Sequence, residues 1–175
     1  PISYLYLSNN VELTNSYWKI NGADTIYLCL NGKTVTFGGY GANVNDDVIK
    51  LSGTSSLIIC DCVGDGKIQL GTKGIDSRLS GIYVGEGCSL MMYGGTIRDF
   101  NKSGVHVGGT NATNATNGVF YMYGGNITKN AASDTGSGGV RVDSAANFDM
   151  YGGCISGNKG GFFGGGVYNI GIFRM

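Results

Sequence analysis

One block of residues returns at near-constant spacing, and that recurrence constrains the fold more than any other feature of the chain. Met92-Tyr93-Gly94-Gly95-Thr96-Ile97 recurs as Met122-Tyr123-Gly124-Gly125-Asn126-Ile127 and as Met150-Tyr151-Gly152-Gly153-Cys154-Ile155, with 30 and 28 residues between the methionines. Upstream of each copy sits a second block: Ser80-Gly81-Ile82-Tyr83-Val84, Ser103-Gly104-Val105-His106-Val107 and Gly138-Gly139-Val140-Arg141-Val142. A fourth copy starts at Gly165-Gly166-Val167-Tyr168 and reaches Phe173-Arg174-Met175. By register, Tyr-Gly-Gly should follow in a parent sequence. With Pro1 where an initiator Met would stand, the chain reads as a piece of a longer protein that stops in mid-repeat.

Within each repeat, apolar and polar residues alternate over three short segments bounded by Gly and Asn. That is the period of a strand with one buried face. Three such strands cannot bury their apolar faces alone, so successive repeats must stack as coils. Each strand then pairs in parallel with its copy one turn on, about 4.8 Å away. The Gly-Gly pairs fall where the chain turns between strands, and positive φ is predicted there. Earlier, the segments Asp47 to Leu51, Leu57 to Cys60 and Lys67 to Leu70 make one further coil, and Tyr4 to Ile20 a first, atypical turn that shields the end of the stack. The prediction is a single all-β domain over 1–175 with about six coils of three short strands. It comprises a cap turn over 1–22, irregular coils over 23–79 and regular Gly-rich coils over 80–175. The insert from Gly109 to Asn117 is predicted as a loop between coils.

Composition supports this. Gly supplies 33 of 175 residues against a usual share of about 7 per cent, and Pro occurs once, so long helices and collagen are both disfavoured. Hydrophobic residues at 42% exclude a disordered chain. Twelve basic and twelve acidic residues cancel, which leaves no field for nucleic acid. No apolar run approaches the roughly 18 residues of a membrane span, and no signal peptide is visible.

The repeat GGV-x-V…F-x-M-x-GG-x-I-x-x-N, carried here by Gly138 to Val142, Phe148 to Ile155 and Asn158, resembles the right-handed parallel β-helix proteins of the pectate-lyase-like superfamily. The likeness is to the Gly-rich type found in bacterial surface and secreted proteins, and Leu28-Cys29-Leu30-Asn31-Gly32 resembles the LxLNG opening of such helices. The resemblance implies a right-handed helix, an extracellular or cell-surface bacterial setting, and either an adhesive stalk or a polysaccharide-degrading enzyme. Fold alone does not choose between them.

Aligned on the first strand of each coil, the outward residues form a column of Cys29, Lys50, Tyr83, His106, Arg141 and Tyr168. Tyr83, His106, Arg141 and Tyr168 are the candidate ligand-binding residues, and they resemble part of the strip that enzymes of the superfamily use to hold polysaccharide. Glycoside hydrolysis by the usual route needs two carboxyl groups about 5 to 9.5 Å apart, and a lyase needs clustered carboxylates for Ca²⁺ with a strong base. No two acidic residues stack at equal register. Glu86 and Asp143 lie two coils apart and out of step, Asp46-Asp47 lies several coils from His106, and Asp149 pairs with Arg174 as a surface pair. The reading is therefore a non-enzymatic module that presents a face to host glycan or host protein, with no catalytic residue and no cofactor. A polysaccharide lyase or hydrolase is the alternative.

Of the five cysteines, Cys60-Asp61-Cys62 lacks the spacer of a CxxC site and no His-bearing half follows, so free thiols rather than a metal site are predicted. Tyr93, Tyr123 and Tyr151 are predicted to form an outward ladder, and Met92, Met122, Met150 and Met175 to fill the core. Sequons at Asn111, Asn114 and Asn126 are chance matches in an Asn- and Thr-rich region. Unpaired terminal strands would invite edge-to-edge self-association.

Overall fold

A computed structural model describes residues 1–14, 16–38, 45–71, 78–110, 116–132 and 136–175. The sequons at Asn111 and Asn114 therefore lie outside the described residues, as does most of the loop predicted between Gly109 and Asn117. Six coils follow one another, each of three strands. They are β1 (Ile2–Tyr6), β2 (Val11–Thr14) and β3 (Trp18–Ile20); β4 (Thr25–Cys29), β5 (Thr34–Gly38) and β6 (Asn45–Leu51); and β7 (Ser56–Cys60), β8 (Lys67–Leu70) and β9 (Arg78–Val84). Then come β10 (Ser89–Met92), β11 (Thr96–Arg98) and β12 (Val105–Val107); β13 (Val119–Met122), β14 (Asn126–Thr128) and β15 (Val140–Val142); and β16 (Asn147–Met150), β17 (Cys154–Ser156) and β18 (Val167–Asn169). A last strand, β19 (Ile172–Arg174), opens a seventh turn.

Every third strand joins the same sheet. The first sheet runs β1-β4-β7-β10-β13-β16-β19, the second runs β2-β5-β8-β11-β14-β17, and the third runs β3-β6-β9-β12-β15-β18. All named pairs are parallel, and no helix occurs among the described residues, so the chain is a parallel β-helix.

The core is built from columns of like residues set by this register. In the first sheet Leu57, Leu90, Phe120 and Phe148 stack inward, with Ile59, Met92 and Met122 two residues on. In the second, Ile68, Ile97 and Ile127 are fully buried, and Ile155 continues the column at the edge of the core. In the third, Ile82, Val105 and Val140 stack, as do Val84, Val107 and Val142. Burying each such side chain contributes about 1.5–3 kcal/mol, and every coil adds several. The aromatic rings keep the register visible: Phe120 and Phe148 have centroids 4.7 Å apart and planes 6° from parallel, and Phe173 continues at 4.9 Å.

The turn after the first sheet explains the Gly-Gly pairs. The second Gly of each pair has positive φ: 84° at Gly95, 85° at Gly125 and 90° at Gly153. A Cβ on Gly125 would also stand 2.7 Å from the carbonyl oxygen of Gly95, so neither conformation nor space admits a side chain.

Two expectations are corrected. Met92 and Met122 are buried, but Met175 is 95% exposed, because it lies just past β19, the edge strand of the first sheet. Cys29 does not share a column with Lys50: it lies in β4 opposite Cys60, and the residue that pairs with Lys50 is Lys19 of β3. The first coil pairs strand for strand with the second. Its own Leu5, Leu7, Val11, Leu13 and Trp18, with Leu28 and Val35 of the second coil, line an apolar hollow of about 300 Å³.

Candidate functional site

The third sheet turns its inner residues to the core and leaves the middle residue of each short strand facing out. Register then sets a single file of Lys19, Lys50, Tyr83, His106, Arg141 and Tyr168, each opposite the next. Five strand spacings give it a length of roughly 24 Å. All four residues predicted as ligand-binding, Tyr83, His106, Arg141 and Tyr168, are brought together here.

Their contacts run along the file. Lys50 Nζ lies 5.4 Å from the centroid of the Tyr83 ring, and Tyr83 meets His106 edge-on at 5.0 Å. The Arg141 guanidinium stands 5.9 Å from the Tyr168 centroid, and Phe163 stacks on Tyr168 at 4.3 Å. Cation–π pairs of this kind are worth about 0.5–1 kcal/mol at exposed sites. Tyr83 leans over the next coil, where a Cβ on Gly108 would meet its hydroxyl, so Gly108 is the residue that lets the ring lie down.

Asp143 is the residue that sequence reasoning placed out of step. It follows β15 two positions after Arg141, on the same side of the strand, and its two oxygens serve different partners. Oδ2 bonds His106 Nε2 at 2.8 Å, and Oδ1 accepts from Arg141 Nε at 2.8 Å. The signal was present in the i, i+2 spacing of Arg141 and Asp143, which a strand aligns on one face. Burial alone would raise the Asp143 carboxyl, but the His106 and Arg141 contacts outweigh it and hold it below the ordinary carboxylate range. Burial pushes the Tyr83 phenol up, and the carboxylates of Asp47, Asp143 and Glu86 push the same way. Both effects favour the neutral phenol over the phenolate.

With Lys50 over the Tyr83 ring, and Arg141 and Phe163 on the Tyr168 ring, the strip offers a ligand polar edges more than open aromatic faces. Those edges are the Tyr168 hydroxyl, the terminal nitrogens of Arg141 and the Lys50 and Lys19 ammonium groups. Other outward side chains pair with one another. Tyr93, Tyr123 and Tyr151 stack at 4.8 and 5.1 Å as predicted, and Arg174 Nη1 meets Asp149 Oδ1 at 2.9 Å.

Compared with family models, with curated proteins and with solved structures, the chain matches none, and its description therefore rests on the stacked coils and on this strip.

Proposed function

We propose that the chain is a non-enzymatic β-helix module of a bacterial cell-surface or secreted protein, and that the outer file of its third sheet binds glycan. The observation that carries this is the file itself: Lys19, Lys50, Tyr83, His106, Arg141 and Tyr168 in one unbroken line across six strands. A line of donors at strand spacing suits an extended polymer better than a compact small molecule. Three of its members are basic side chains, so sugars bearing carboxylate are the favoured class. The bacterial surface setting is supported by the Gly-rich repeat and its resemblance to pectate-lyase-like β-helices.

A polysaccharide-degrading activity is the second reading, and the His106–Asp143 pair beside Arg141 is what favours it. Against it, Asp143 spends both oxygens on its own chain, which removes it as a free base or nucleophile. A polysaccharide panel separates the two. The chain should retain acidic glycans, less strongly as salt rises, with no rise in reducing ends or unsaturated products. Turnover that His106→Ala abolishes would replace binding with catalysis, and silence in both assays would leave a plain spacer.

A further inference from the structure

Cys29 and Cys60 end neighbouring strands in exact register, and both face outward. The same outward column holds Tyr6 before them and, one residue past the end of β10, Tyr93 after them. Two coils thus carry sulfur where their neighbours carry a tyrosine ring. The turn after β7 brings in a third. Cys62 folds back over the preceding coil until its Sγ lies 3.1 Å from that of Cys29, and all three sulfur atoms lie within 4.8 Å of one another.

This turn is held from both sides. Asp61 sits between Cys60 and Cys62 in sequence, and its carboxylate is taken up by backbone N–H groups. Oδ1 accepts the Gly32 N–H at 2.7 Å, while Oδ2 accepts those of Gly64 at 3.1 Å and Gly66 at 2.7 Å. Strand register therefore fixes Cys29 and Cys60, and Asp61 fixes Cys62. That is the kind of outer support a metal site needs in order to keep its geometry.

We propose that Cys29, Cys60 and Cys62 form a three-thiolate site for a soft metal ion, Cu(I) in particular. Sulfurs around an ion in a trigonal plane at about 2.3 Å would stand about 4 Å apart, within the spread that these three occupy. Among the described residues no His, Asp or Glu joins the group, so the donor set is sulfur alone. Thiolates without nitrogen or oxygen partners select Cu(I), whereas structural zinc takes four ligands. On binding, each thiol releases its proton to the buffer and its sulfur donates one pair to the ion, with no change of oxidation state. A disulfide would use two of the sulfurs and leave the third beside it, whereas an ion uses all three. Cys62 is exposed, which gives the ion its way in.

The test is anaerobic titration of the reduced full chain with Cu(I) held by a chromogenic chelator. A single ion per chain should be withdrawn from the chelator. Cys29→Ser, Cys60→Ser and Cys62→Ser should each weaken uptake by at least about tenfold, the least that losing even an outer-shell partner costs. Cys88→Ser and Cys154→Ser should match the wild type. A second readout needs no variant: bound Cu(I) should shield Cys29, Cys60 and Cys62 from alkylation while the exposed Cys154 stays reactive. Uptake that survives loss of any of the three, uptake that depends on Cys88 or Cys154, or uniform alkylation with Cu(I) present would overturn the proposal. So would a Cys29–Cys62 disulfide that persists under thiol reductant.

Discussion

Asn130 is fully buried and uses its whole side-chain amide to join three coils. Its Oδ1 accepts the Phe100 N–H at 3.0 Å, and its Nδ2 donates to the Ile97 carbonyl at 3.3 Å and to Asn158 Oδ1 at 3.0 Å. Asn158 repeats the pattern one coil on, donating to the Ile127 carbonyl at 2.8 Å. Replacing Asn130 with Leu leaves the buried Phe100 N–H without its acceptor, so a loss of about 1–3 kcal/mol is expected in urea unfolding. The sequence carried these residues openly, three positions after Ile127 and Ile155. It did not show their bonds, because these reach backward across coils. Asp143 makes a second prediction at this scale. Its carboxyl is depressed in the fold, so its contribution is fully present above the ordinary carboxylate pKa of about 3.9 and is lost as pH falls through the lower folded value. Wild type should therefore exceed Asp143→Asn in stability at neutral pH, with the gap closing on acidification. A gap that stays constant down to the acid limit would contradict the pairing with His106 and Arg141.

At the scale of the strand, inward and outward faces should differ sharply in cost. Phe148 is fully buried between the rings of Phe120 and Phe173, and truncation to Ala should cost about 3–5 kcal/mol. Tyr121 faces outward in β13, flanked by buried Phe120 and Met122, and Tyr121→Ala should cost about 1 kcal/mol or less. Thermal melts of the two variants check this, and equal losses would mean that the faces are reversed. Register in the regular coils was legible because Val-x-Val, Phe-x-Met and the Gly-Gly turn repeat together. In the earlier coils the variable segments hide the phase. Leu28-Cys29-Leu30 has the same apolar–x–apolar form as Val105-His106-Val107, yet its Leu28 and Cys29 belong to β4 of the first sheet, so the pattern alone does not give the column of Cys29. The third sulfur beside Cys29 and Cys60 depended on that same register.

Over the whole molecule, each named strand pairs only with its copies in adjacent coils, and β1, β2 and β3 at one end, with β17, β18 and β19 at the other, pair on a single side. Open strand edges recruit further strands. Light scattering of this chain should show a mass that rises with concentration, and a clean monomer at high concentration would exclude edge pairing. The length of the third-sheet file is a property of the same stacking: no single coil holds more than one of its members. Affinity of the chain for an acidic polysaccharide, measured for wild type, Arg141→Ala, Tyr168→Ala and Tyr123→Ala, tests the file most directly. The two substitutions in the file should each weaken binding about tenfold or more, equivalent to at least about 1.4 kcal/mol, while Tyr123→Ala in the first-sheet ladder leaves it unchanged. Equal losses in all three, or a loss confined to Tyr123→Ala, would contradict it.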